Sequence, residues 1–234
     1  MAARTKKVIL FIIEGPTDEV ALSPVLKKIF QSEDVHFHVV HGDMTSDQSV
    51  SGTNAVKTVH EHIEMERKRY GFEKKDIIKV IHLVDTDGAF IPANKVIRSA
   101  VESIQYFDDR IESAVPYAIV NRNTRKSQVL YRLYSTSTIG TIPYRVYYFS
   151  RNLEHVLHNN SANLTDNEKF DYADAFADKY NSNPEEFKTF ISSCDFAVPG
   201  EFKDTWNFIM QGANSLHRYS NFHLLFHKDE QGIN

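Results

Sequence analysis

Acidic side chains stand just after two apolar runs in the first half of the chain. Glu14 and Asp18 follow the run VILFII, and Asp85 and Asp87 follow the run IIKVIHLV. Carboxylates held close together repel one another unless a proton or a cation neutralises them. Hard oxygen ligands with room for water suit Mg²⁺ or Mn²⁺. These residue types therefore predict a divalent-cation site, provided that the fold brings the acids together.

The elements around these acids alternate in their hydrophobic pattern. Strand, helix, strand, helix and strand are predicted in turn over 8–13, 16–29, 35–40, 54–70 and 76–84. Such alternation is typical of βαβ units and predicts an α/β fold with a mainly parallel sheet flanked by helices. Ligands of open parallel sheets bind outside the carboxyl ends of the strands. Glu14 and Asp85 would stand at such ends, and Asp18 would join them from one turn into the first helix.

Length, charge and cysteine content narrow the class of protein. The chain has 234 residues, of which 41% are apolar and 25% charged, and its formal net charge is -4. One domain, or one domain with a substantial appendage, is expected, and the bulk charge does not indicate a nucleic-acid binder. The single cysteine, Cys194, excludes an intramolecular disulfide and a cysteine-based zinc site, which fits a cytoplasmic protein. No apolar stretch approaches ~20 residues, so no membrane partner is expected.

The middle of the chain is basic and aromatic. Residues 113–153 contain no Asp or Glu, and arginines and tyrosines are interleaved there. Cations neutralise phosphates and tyrosines stack on exposed bases. The predicted nucleic-acid-binding residues are Arg122, Arg125, Lys126 and Arg151. The alternative is that the aromatic residues form core and the arginines are solvated.

The last third of the chain is acidic and carries helix signals. Thr165 and Glu168 form a capping-box pattern, Pro184 can open a further helix, and apolar residues from Trp206 to Tyr219 suggest a third. The predicted acids and strands place a catalytic domain over 1–155, with the basic insertion near 113–153. A helical C-terminal extension over 156–234 is predicted to pack on it.

The segments FIIEGPTDEVAL and IHLVDTDG together resemble the Toprim domain. That domain occurs in type IA and II topoisomerases, DnaG-type primases, OLD (overcoming lysogenization defect) nucleases and small RNA-maturing nucleases. Glu14 matches the family glutamate, and Asp85 and Asp87 match its Asp-x-Asp pair. Asp18 matches a second acid of OLD-like members, and the segment SRNLEHVL resembles the one that brings them a further glutamate, here Glu154.

The resemblance implies a Toprim-like, Rossmann-like fold and a nuclease that cleaves DNA or RNA with Mg²⁺ or Mn²⁺. Asp85 and Asp87 would hold one ion, and Asp18 and Glu154 would help to hold a second. Glu14 would bind metal or act as general base. Because the chain lacks the G-x-x-x-x-G-K-[ST] motif, it is most similar to stand-alone Toprim nucleases that work beside a separate ATPase in bacterial anti-phage defence.

Two other functions compete with the nuclease. A Toprim-like module could bind nucleic acid or an ATPase without catalysis. The segment LVDTDGAF also resembles the haloacid dehalogenase phosphatase signature, with Asp85 as nucleophile and Asp87 as acid or base. In that comparison Ala89 replaces the usual threonine, and Glu14 is left without a role.

Histidines cluster in and after the second predicted strand. His36, His38 and His41 could suggest zinc, but no cysteine or suitably spaced acid completes a tetrahedral site. His36 and His38 share one strand face. We expect this pair to be solvated or to lie on an edge strand.

Overall fold

A computed structural model describes residues 7–40 and 42–227, so His41 lies outside the described residues. The strands are β1 (Val8–Ile13), β2 (Asp34–Val39), β3 (Ile77–Asp85), β4 (Val96–Arg98), β5 (Gln105–Tyr106), β6 (Ile111–Ser113), β7 (Thr138–Ile139), β8 (Ile142–Ser150) and β9 (Tyr219–Ser220). The α-helices are α1 (Pro16–Ile29), α2 (Ala55–Tyr70), α3 (Pro116–Tyr134), α4 (Leu153–His158), α5 (Asp166–Asn181), α6 (Pro184–Ile191) and α7 (Phe202–Ile209).

The fold is α/β, with a mostly parallel mixed sheet flanked by helices, as predicted. The strand order is β2-β1-β3-β8-β7, and β9 pairs with β8. β1 runs parallel to both neighbours, with Phe11 opposite Phe37 on one side and Ile81 on the other. β7 and β9 are antiparallel to β8. The alternating pattern over the first 85 residues correctly predicted β1, α1, β2, α2 and β3.

The chain divides into two compact units, each built from three stretches. Unit 1 comprises the described residues up to Leu83, Val129–Val146 and Thr165–Pro184. Unit 2 comprises Val84–Gln128, Tyr147–Leu164 and the described residues from Glu185 onwards. Each unit is discontinuous in sequence, because β3, α3 and β8 each contribute residues to both units. The catalytic domain over 1–155 and the extension over 156–234 stay predictions.

Unit 1 is built around β1, whose six side chains are all buried. Such a continuous apolar strand suits a sheet covered on both faces. α1 packs against β1, β2 and α5. Thr165 caps α5 as predicted: its hydroxyl accepts from the Glu168 amide at 3.3 Å, and the Glu168 carboxylate accepts from the Thr165 amide at 2.8 Å.

Unit 2 has its own core and a small second sheet of order β4-β6-β5. Its apolar cluster combines Val96 and Ile111 from this sheet with Ile91, Ile119 and Leu216. Trp206 on α7 is fully buried, and its ring meets that of Tyr148 edge to face at 5.0 Å. The Tyr148 hydroxyl donates to the carbonyl of Thr205 at 2.9 Å.

The basic and aromatic segment is partly helical, and its aromatic residues divide between surface and core. Tyr117 and Tyr131 lie on α3 and are exposed, whereas Tyr144, Tyr147 and Tyr148 on β8 are buried. The run from Trp206 to Tyr219, predicted to be helical, is not one helix. α7 ends at Ile209 and Gly212 has a φ of +56°, after which the chain forms short 3-10 turns and β9.

Within the part of the chain that the structure describes, no helix is long and apolar enough to cross a membrane.

Candidate strand-end acid site

The turn after β3 carries the Asp-x-Asp pair and is anchored inside unit 2. Asp85 is the last residue of β3. The Thr86 amide donates to the carbonyl of Phe149 at 3.1 Å, and the Asp87 amide donates to the carbonyl of Arg151 at 2.9 Å. The Thr86 side chain is buried and its hydroxyl donates to the carbonyl of Ser215 at 3.0 Å. Hydrogen bonds to the carbonyls of Phe149, Arg151 and Ser215 therefore hold the backbone of this turn in place.

Two consecutive residues of this turn are left-handed. Asp87 has a φ of +46° and Gly88 a φ of +68°. Aspartate tolerates this region better than most residues, and glycine enters it without strain. A Cβ at position 88 would lie 2.6 Å from Leu216 Cδ2 and 3.0 Å from Ile111 Cδ1. Gly88 is required both by the backbone conformation and by the packing around it.

Asp87 is held by a buried lysine. The Lys126 ammonium lies 2.5 Å from Asp87 Oδ2, and the lysine side chain is fully buried while the Asp87 side chain is 24% exposed. A buried lysine is unusual unless it is paired. Lys126 thus fixes the Asp87 carboxylate from the protein side while solvent reaches it from the other.

The same helix holds the turn through two further side chains. Arg122 donates to the carbonyl of Asp87 at 2.9 Å, and Asn123 donates to the carbonyl of Gly88 at 3.2 Å. Arg122 also donates to the Tyr106 hydroxyl at 2.9 Å. Side chains of α3 therefore hold the Asp-x-Asp turn of unit 2 in place by hydrogen bonds. Arg125, which is also predicted to bind nucleic acid, is half-buried on the same helix.

Arg151 is a buried cation on which the predicted acids of unit 2 act electrostatically. Its guanidinium lies over the Tyr106 ring at 4.7 Å and donates to the carbonyl of Ser161 at 2.6 Å. Burial lowers the pKa of Arg151. Nearby groups oppose that effect and raise it: Tyr106, Asp87, Asp85 and Glu154. Three acids that sequence patterns single out thus act on one guanidinium.

Glu154 is brought to this place by the start of α4. The Asn152 side chain caps that helix by accepting from the His155 amide at 2.9 Å. Glu154 is buried in the first turn, and next to it burial and the charge of Arg151 lower the pKa of His155 to about 4. His155 is therefore neutral at physiological pH and adds no charge to the site.

The two N-terminal acids belong to unit 1. Glu14 follows β1 and is half-buried, and its carbonyl accepts from the Gly42 amide at 3.2 Å. Asp18 accepts from the Gly15 amide at 3.0 Å and so caps α1. Gly15 has a φ of -128°, and a Cβ there would make only ordinary contacts. The extended conformation of Gly15 therefore does not require a glycine at this position.

The fit to a divalent cation is incomplete. Carboxylate oxygens are suitable donors for Mg²⁺ or Mn²⁺. However, across residues 7–40 and 42–227 no group of three or more His, Cys, Asp or Glu side chains is placed to hold one metal ion. In unit 2 the positive charge beside Asp87 comes from Lys126 and Arg151. The described side chains therefore do not form a ready metal site, and the predicted ligand set stays a prediction.

Several residues of this site were not predicted with the roles that they have here. Tyr106 lies under Arg151 and beside Arg122, and nothing in its sequence context distinguishes it. Lys126 and Arg151 were predicted to bind nucleic acid, and the structure places both at the acids.

Comparison of the chain with protein-family models, with curated proteins and with solved structures found no match.

Proposed function

We propose that the protein is a Toprim-type nuclease that cleaves phosphodiester bonds of DNA or RNA and depends on Mg²⁺ or Mn²⁺. The supporting observation is that Asp85, Asp87 and Glu154 all act electrostatically on the buried Arg151. Charged side chains gathered at the carboxyl end of a strand, where α/β proteins bind their ligands, are candidates for a functional site. The dependence on a divalent cation comes from the Toprim resemblance and from the carboxylate donors.

The chain's own residues have separable roles in this proposal. Asp87 is the acid with solvent access, so it can accept a hydrogen bond or a proton from water at the site. Lys126 positions that carboxylate. Arg151 adds a second buried positive charge close to these acids.

A cleavage assay with matched variants tests the proposal. The full chain is incubated with plasmid, single-stranded DNA and tRNA in Mg²⁺, Mn²⁺ or EDTA. We expect cleavage only with a metal, and we expect Asp85→Asn and Glu14→Gln each to lower it by at least ~100-fold. Glu186→Gln, which changes an exposed acid on α6, is the matched control and should keep full activity. Cleavage in EDTA, or undiminished cleavage by Asp85→Asn, would contradict the proposal.

The competing functions give different results in the same experiment. Binding of nucleic acid without cleavage in any metal would favour the non-catalytic module. Release of phosphate from small phosphomonoesters, lost in Asp85→Asn, would favour the phosphatase. A separate ATPase partner and a role in anti-phage defence follow from the resemblance alone. Co-purification of an ATPase with the tagged chain from cells that encode it would support them.

A further inference from the structure

A pocket of about 250 Å³ lies in unit 2 between α3 and the segment 89–96, which follows the Asp-x-Asp turn. We call it the α3 pocket. The helix contributes residues spaced by three and four positions, which therefore share one of its faces. These are Val120, Asn123, Thr124, Ser127 and Gln128.

The wall of the α3 pocket is joined to the Asp-x-Asp turn by shared hydrogen bonds. The carbonyl of Gly88 accepts from the Asn123 side chain at 3.2 Å and from the Ile91 amide at 3.3 Å. The Phe90 amide donates to the Ser215 hydroxyl at 3.3 Å. Asn123, Phe90 and Ile91 all line the pocket. The pocket is therefore preformed, and its place beside the turn is fixed.

The lining combines buried apolar residues with exposed neutral polar ones. Ala89, Ile91 and Val96 are buried, whereas Thr124 and Gln128 are exposed. None of the described lining residues is acidic, basic or a histidine. A charged ligand would therefore lose hydration in the pocket without gaining a counter-charge. A neutral group with apolar faces and a polar edge matches both parts of this lining.

Gln128 supplies the hydrogen-bonding pattern that a ligand would meet. A primary amide carries a donor and an acceptor side by side. Adenine presents the matching pair, because its N7 accepts and its N6 amino group donates, and glutamine pairs with both at once. The other amide of the lining, Asn123, is already bonded to Gly88 and Arg122. The exposed Gln128 is therefore the amide that can read a base.

We propose that the α3 pocket holds one adenine base of the strand that the protein cleaves, with Gln128 bonded to N6 and N7 of that base. The volume is below the ~300–1,000 Å³ of sites for drug-sized ligands, so it suits a base rather than a whole nucleotide. Phe90 and Ile91 offer apolar surface to the ring faces, as in enzymes that take a base out of the stack. The sugar and phosphate of that nucleotide would lie at the adjoining turn. This site rests on the proposed nuclease function and deepens it, since it gives the cleaved strand a preferred sequence.

Binding of free nucleosides to the full chain tests the pocket without any cleavage. NMR of protein labelled with ¹³C at the alanine methyl groups reports on Ala89 and Ala93 in the lining, with Ala173 in unit 1 as internal control. We expect adenosine to shift the first two signals and not the third. 7-Deazaadenosine, which lacks the N7 acceptor, should bind about fivefold more weakly for the loss of one hydrogen bond. Unshifted Ala89 and Ala93 signals, or equal binding of the two nucleosides, would overturn the proposal.

Two variants on α3 separate recognition by Gln128 from general effects on the helix. In Gln128→Ala the difference in affinity between adenosine and 7-deazaadenosine should disappear, because the group that reads N7 is gone. Asn121→Ala changes an exposed amide of the same helix that does not line the pocket, and it should keep the difference. A difference that persists unchanged in Gln128→Ala would contradict the proposal.

Mapping the cut positions on random-sequence substrates connects the pocket with the proposed activity. Adenine should be enriched at one fixed position beside the cut, and Gln128→Ala should reduce the enrichment about fivefold. Cleavage without preference for adenine at any position would overturn the proposal and leave the nuclease standing. Methyl shifts with adenosine in a protein that cleaves no substrate would support the adenine site and refute the nuclease alone.

Discussion

Acids in the two units are bonded to different kinds of side chain. In unit 2, Asp87 is bonded to Lys126 and stands near Arg151, and a guanidinium stays charged at every accessible pH. In unit 1, Glu66 is bonded to His38, and the other nitrogen of that ring is bonded to His62. The acid of unit 2 is thus bonded to an ammonium group that only donates hydrogen bonds. The acid of unit 1 is bonded to an imidazole, which has two nitrogen atoms and links it to a second ring.

The largest expected effect comes from removing the acid of the unit 2 pair. Asp87→Asn removes the negative charge that is bonded to the fully buried Lys126, so we expect a loss of about 3 kcal/mol in the free energy of unfolding. Lys126→Met should cost only about 1 kcal/mol, because Asp87 keeps contact with water. Urea denaturation of both variants measures this difference. Equal losses would show that Lys126 is not dependent on Asp87.

A pair of glycine substitutions compares the backbone in the two units. Gly88→Ala combines a left-handed φ with close approaches to Leu216 and Ile111, and we expect it to cost about 3 kcal/mol. Gly71→Ala at the end of α2 has a similar φ of +71° but no atom within 4 Å of the new Cβ, and should cost about 1 kcal/mol. Thermal melts would refute the packing argument if the two losses were the same.

Acid should weaken the fold through His82 in unit 1. Burial lowers the pKa of His82 to about 3, and its Nδ1 lies 2.8 Å from the Tyr144 hydroxyl. Between pH 6.5 and pH 3 the unfolded chain binds a proton that the folded chain does not. The free energy of unfolding therefore falls as the pH falls, by about 1.4 kcal/mol per pH unit for this residue.

Stability measured against pH for wild type and His82→Gln tests the assignment. The variant should show a shallower slope over that window, whatever its absolute stability. His155 and His223 in unit 2, each with a pKa lowered to about 4 mainly by burial, remain in both proteins and contribute equally. Parallel curves for the two proteins would be evidence that His82 is protonated in the folded state.

The smallest effects concern the helix caps, and they distinguish the units by function. Thr165→Ala in unit 1 and Asn152→Ala in unit 2 should each cost about 1 kcal/mol. Only Asn152→Ala loosens the turn that carries Glu154, so only it should lower nuclease activity. Melting curves and the plasmid assay on the two variants give this comparison. Loss of activity in Thr165→Ala would mean that the assay reports stability alone.

Sequence reasoning succeeded where a local pattern fixes the structure. The apolar run before Glu14, Pro16 in the first turn of α1 and the Thr165–Glu168 box each act within a few residues, and each prediction is confirmed. The α/β class follows from such local signals. The Toprim assignment and the function stay predictions.

The parts that were missed depend on contacts between distant residues. A lysine in a helix is normally exposed, so nothing local shows that Lys126 is buried against Asp87, 39 positions away. His38 and Glu66 are 28 positions apart and meet only because α2 packs on β2. The run from Trp206 to Tyr219 has helical spacing, but Gly212 adopts a left-handed conformation and the helix ends before it.

The position of Trp206 gives unit 2 its own optical signature. It is the only tryptophan of the chain, and it is fully buried in the core of unit 2. Light that excites indole but not phenol therefore reports on unit 2, while the amide circular dichroism averages over both. Overlaying the two signals during denaturation would show whether the chain melts as one cooperative block or in two steps.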